Sequence, residues 1–132
     1  MTRTAQLHEA IAGLTYTSES DRPFIVVRVR DPDPAHALDA SYLRRVLRVD
    51  PETPLELRTI DDTLARHTHR TDPYDVATQR IRPRYEALQR LLESTLRDAV
   101  AVRVGRVEVA VWLLGRAPEG GLVGVRTTAI ET

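Results

Sequence analysis

Val107-Glu108-Val109-Ala110-Val111-Trp112-Leu113-Leu114, then Pro118-Glu119-Gly120-Gly121 and the run Leu122 to Ile130, together set the fold class. The first stretch has a period of two. Val107, Val109, Val111 and Leu113 share one face and Glu108, Ala110, Trp112 and Leu114 the other, as a pleated strand requires. Pro118 to Gly121 carries turn residues, and Leu122 to Ile130 returns as the partner strand of a hairpin. The alternation starts at Val102 and changes phase at Gly105-Arg106, where a bulge or tight turn is expected.

Before this hairpin the spacing is helical. Tyr85, Leu88, Leu91, Leu92, Leu96 and Val100 predict a long helix introduced by Asp72-Pro73-Tyr74-Asp75 and kinked or restarted at Pro83. Asp61 predicts the cap of a short helix reaching about His69, and Leu55 to Ile60 a strand after the break at Pro51 to Pro54. Asp33 predicts the cap of another helix, with Pro34 at its first position, a stripe of Leu38, Tyr42, Val46 and Val49, and an end near Arg48. Phe24 to Arg30 reads as a strand. Leu7, Ala10, Ile11 and Leu14 predict a first helix closed by Gly13, which leaves Tyr16 to Arg22 as a polar turn. Strands separated by helices early and paired late predict one α+β domain over residues 1–132, its helices packed on a small, mostly antiparallel sheet.

Composition narrows the function classes. All 19 basic residues are arginine, 19 acids balance them, and the formal net charge is zero. A blanket electrostatic attraction to nucleic acid or membrane is therefore not expected, and any charged site is local. The absence of cysteine excludes disulfides, thiolate nucleophiles and cysteine-based zinc sites. Met1 to Gly13 has no apolar run of signal-peptide length and no stretch approaches a membrane span, so a cytoplasmic location is expected.

Each candidate for chemistry has a structural competitor. His67 and His69 are two apart, so on a helix they diverge, whereas metal-ligand pairs need spacings of three or four; cation preference at a helix C-terminus explains them instead. Asp31 with Asp33, or Asp61 with Asp62, could serve a hydrolase, yet both pairs sit where helix capping is expected. Arg44-Arg45-Arg48 and Arg80-Arg82-Arg84-Arg90 alternate with acids and core positions on amphipathic helices, as solvated faces do. Trp112 is either a surface anchor or part of a second core layer under a helix. Ser18-Glu19-Ser20-Asp21, alone, is a hydroxyl-stabilised turn.

The segment Gly13-Leu14-Thr15-Tyr16-Thr17-Ser18-Glu19-Ser20-Asp21-Arg22-Pro23-Phe24 resembles the signature of the nuclease A inhibitor family. Val107-Glu108-Val109 through Gly115-Arg116, Pro118, Gly120, Leu122, Gly124, Thr127 and Ile130-Glu131-Thr132 resemble that family's C-terminal hairpin. The family often has a tryptophan where this chain has Pro73 and an aromatic residue where it has Arg22. The resemblance implies a three-layer α-β-α sandwich and a non-enzymatic inhibitor, without a cofactor of its own, of a sugar-non-specific ββα-metal nuclease. It also implies that Glu19 is directed at the catalytic Mg²⁺ of the nuclease and that Thr132 reaches the same site. Ser18, Ser20, Asp21, Glu131, Tyr16 and Tyr74 are the expected partner contacts around them. A monomer forming a 1:1 complex, with no direct nucleic-acid or membrane contact, is expected; the alternative is a non-inhibitory protein-binding module on the same fold.

Overall fold

The computed structural model describes residues 2–132. Its helices are α1 (Arg3–Ile11), α2 (Ala40–Val46), α3 (Ile60–Thr68) and α4 (Val76–Thr95). The strands are β1 (Thr15–Thr17), β2 (Asp21–Pro23), β3 (Ile25–Val29), β4 (Leu55–Arg58), β5 (Arg97–Val104), β6 (Glu108–Arg116) and β7 (Leu122–Ile130). Five of them form an antiparallel sheet in the order β3-β7-β6-β5-β4, and β1 pairs with β2 as a separate ribbon. The α+β class expected from the alternating C-terminal segment is the observed one.

The period of two distributes the core over both sheet faces. Val109, Val111 and Leu113 of β6, with Val123, Val125 and Ala129 of β7, bury against Leu7 and Ile11 of α1, Ile60 and Leu64 of α3, and Leu88 and Leu92 of α4. Leu114, Leu122 and Val102 face the opposite way and close on Leu43 of α2, with Trp112, Val46 and Leu55 partly buried around them. The layers are thus three helices, one sheet and one short helix. Trp112 belongs to the second core layer, with the Arg126 guanidinium 5.1 Å above its ring. Gly124 is dictated by close strand approach: a Cβ there would lie 1.9 Å from the Leu113 carbonyl oxygen.

Several sequence expectations shift for identifiable reasons. The helix expected from Asp33 begins at Ala40, where the Asp39 side chain accepts the Tyr42 N–H at 2.8 Å. Residues 31–33 are instead pinned by Tyr42 and Arg116, as Asp33 N–H donates to the Tyr42 hydroxyl and Asp33 O accepts from Arg116. Thr59, not Asp61, caps α3, and Asp61 and Asp62 fill its first turn, where the helix dipole favours acids. Asp75, not Asp72, caps α4. That helix runs through Pro83, which is exposed, so water can satisfy the carbonyl left without its helical N–H. It stops at Thr95 instead of reaching Val100, and β5 starts at Arg97 with an irregularity in its pairing between Arg97 and Val100 and a positive φ of 57° at Asp98. Tyr16 to Arg22, expected as a polar turn, is the β1–β2 ribbon with Tyr16 buried beneath it. Gly105, at φ 122°, forms the β5–β6 turn, and Val107 lies exposed before β6 begins.

Candidate functional site

The tip of the β1–β2 ribbon is Ser18-Glu19-Ser20, and hydrogen bonds tie it to the end of β7. The Ser18 hydroxyl accepts the Ile130 N–H at 2.9 Å and donates to the Ser20 carbonyl at 3.0 Å. The Glu19 N–H donates to the Ile130 carbonyl at 3.2 Å. These bonds leave the Glu19 side chain exposed but fixed at its base. Its two oxygens are then occupied by one residue: Oε2 accepts the Thr132 N–H at 2.9 Å and Oε1 the Thr132 hydroxyl at 2.7 Å. Each carboxylate oxygen retains a further acceptor direction, so the pair stays competent to meet a cation or a bound water.

The other expected contacts are distributed unequally. Ser20 belongs to the tip, its hydroxyl accepting from Arg22 Nε at 3.2 Å. Asp21 is exposed on β2, opposite Thr17. Glu131 points elsewhere: it forms an ion pair with Arg103, whose side chain is only 10% exposed. Tyr16, 3% exposed, is a core residue whose hydroxyl donates to the Thr63 carbonyl at 3.3 Å, so it supports the ribbon from below. Tyr74 is 91% exposed on the α3–α4 connection, and no hydrogen bond or ring contact joins it to Glu19 or Thr132 among the described residues.

The ribbon stands on an aromatic stack that was not legible as a site in the sequence. Tyr16 packs edge-on against Phe24 and His67, and His67 lies flat on Tyr85 with ring centroids 4.1 Å apart. His67 Nε2 accepts the Thr17 N–H at 3.2 Å, and Arg66 donates to the Thr17 carbonyl. Burial, followed by the neighbouring Arg66 charge, lowers the His67 pKa from 6.5 to about 4, against the opposing pull of Asp21. His67 is therefore a neutral acceptor and not the helix-end cation expected of it. His69 goes to a different partner, Asp61, at 2.8 Å. Only the neighbouring Arg66 could have hinted at a depressed pKa; the pairing with Thr17, 50 residues away, has no local signal.

A family model described as Nuclease A inhibitor-like protein matches residues 2–132. The chain belongs to the nuclease A inhibitor-like family. A search of curated proteins found no match. Family membership supports a nuclease-inhibitor role in general, and with it a non-enzymatic function exercised on a nuclease partner. No helix among the described residues of this nuclease A inhibitor-like chain is long and apolar enough to cross a membrane.

Two arginines of the runs, Arg44 and Arg84, have local duties in this family member. Arg44 donates to the Asp50 and Thr53 carbonyls at 2.7 and 2.8 Å, and Arg84 to the Ala10 carbonyl at 3.1 Å. Asp31, expected as a cap, has a buried side chain that pairs with Arg116 at 2.9 Å.

Proposed function

We propose that this chain inhibits a sugar-non-specific, Mg²⁺-dependent endonuclease as a single cytoplasmic domain in a 1:1 complex, with Glu19 and Thr132 set against the catalytic metal. The observation that supports this most is the clamp of both Glu19 oxygens by Thr132 at an exposed tip. A fixed carboxylate meets a hard, oxygen-seeking cation without the entropy loss of ordering a free side chain, and it presents no bond that the nuclease can cleave. Ser18 and Ser20 position the tip, Asp21 adds negative charge beside it, and Tyr74 is the exposed aromatic available to a wider interface. Because Arg103 neutralises Glu131, the negative patch is small, and steering by overall charge is absent at net zero.

The test is titration of such a nuclease, cleaving duplex DNA in Mg²⁺, with the wild-type chain. Activity is expected to fall linearly to an end point at one equivalent. Full activity in large molar excess of the chain refutes the inhibitor reading and leaves a binding module.

A further inference from the structure

Next to Tyr16 of β1 and Glu131 lies a cavity of about 150 Å³ lined almost wholly by polar groups. Arg58 of β4, Arg66 of α3, Arg70 just beyond α3 and Arg103 of β5 converge on it, with Thr63 in its wall. The same lining holds two carboxylates, Asp62 and Glu131, so four positive charges face two negative ones. Glu56, outside the lining, takes Arg58 Nε at 2.9 Å, which still leaves one positive charge in excess.

The pairing is incomplete. Asp62 stands 3.6 Å from Arg58 and 3.7 Å from Arg70, longer than charge-assisted hydrogen bonds. Arg66 pairs with no carboxylate among the described residues; it holds the Thr17 carbonyl and lies 5.4 Å from the centroid of the Tyr16 ring. Thr63 is 5% exposed and its hydroxyl has no hydrogen-bond partner, an arrangement that buried polar groups rarely keep. Clustered guanidinium donors, surplus positive charge and an unmet hydroxyl share one chemical need, an oxyanion with several acceptor atoms.

We infer that this cavity binds a phosphate group, held by Arg66, Arg70 and Arg103 with Thr63 completing the site. The volume admits a tetrahedral oxyanion with a few waters. Its place in the fold gives it a consequence. Arg66 holds the strand that leads into Ser18 and Glu19, and Arg103 holds Glu131 next to Thr132. A phosphate bridging the two arginines stiffens both supports of the Glu19–Thr132 pair. The site does not depend on the inhibitor reading and stands or falls separately from it.

The test is an NMR titration of the whole chain with inorganic phosphate, matched in ionic strength by sodium chloride. Saturable shifts at the Thr63, Arg66 and Arg103 amides are expected, absent with chloride. Arg70→Gln, which alters an exposed side chain with no backbone partner, is expected to weaken binding about tenfold. Thr63→Val, nearly isosteric, is expected to weaken it without loss of thermal stability. Thymidine monophosphate binding as tightly as phosphate assigns a nucleotide as the source, and binding more weakly assigns the free ion; both support the site. Shifts no larger than those from chloride, or shifts unchanged in both variants, overturn it.

Discussion

Asp31 and Arg116 form an ion pair with side chains only 2% and 5% exposed, and the Tyr42 hydroxyl donates to the same carboxylate. Burial pushes the Asp31 carboxyl up, but the Arg116 guanidinium and the Tyr42 hydroxyl outweigh it and hold the group below the ordinary carboxylate value. Its stabilising contribution is therefore present above the unfolded pKa of 3.8 and is lost as pH falls through the lower folded value. Asp31→Ala leaves the guanidinium buried without this partner and is expected to cost about 3–5 kcal/mol in chemical denaturation. A loss under 1 kcal/mol contradicts this estimate. At this scale the sequence was partly legible: Glu19 and Thr132 could be named through family resemblance, because both end motifs carry them. The ion pair of Asp31 could not, since an aspartate before a proline is also a good turn residue, and its partner lies 85 positions away.

Among the elements, the β1–β2 ribbon is the one whose stability bears on the tip. The three-residue strands lend it little of their own, and it depends on the Tyr16–His67–Tyr85 stack and on the Thr17 N–H bond to His67. Protonated His67 cannot accept that bond. The folded pKa near 4 lies below the unfolded 6.5, so the unfolded chain takes up the proton first as pH falls. Stability is accordingly complete above 6.5, declines between 6.5 and 4, and changes no further from this group below 4. For a half-buried imidazole the loss is on the order of 1–2 kcal/mol after solvent screening. Melting temperature against pH for wild type and His67→Gln isolates it: the wild type is expected to lose more over this window, and parallel profiles contradict the assignment. Helix existence was legible from spacing at this scale. Starts were less so, because Thr59, Asp39 and Asp75 compete with nearby aspartates and prolines that satisfy the same capping rule.

Across the whole molecule, the sheet separates two cores. Leu88 packs on the face covered by α1, α3 and α4, and Leu43 on the face covered by α2. Both are fully buried, so each change to alanine is expected to cost roughly 2–5 kcal/mol. With the sheet between them the two losses are expected to add within about 0.5 kcal/mol in a double-mutant cycle read by denaturant unfolding. A coupling above 1 kcal/mol contradicts independent cores. The alternation of β6 and β7 made the antiparallel pairing legible. The strand order and the position of α2 were not, because they rest on long-range packing, such as the cluster of Leu43 with Val102, Leu114 and Leu122, that no local pattern announces.

That architecture delivers Glu19 and Thr132, 113 residues apart in sequence, to one exposed point. The decisive measurement is the inhibition constant of Glu19→Gln against a sugar-non-specific, Mg²⁺-dependent nuclease that the wild-type chain inhibits. The glutamine keeps the shape and one acceptor for Thr132 but removes the charge offered to the metal. Inhibition on the order of a hundredfold weaker, at unchanged melting temperature, is the predicted result. An inhibition constant equal to that of the wild type contradicts it.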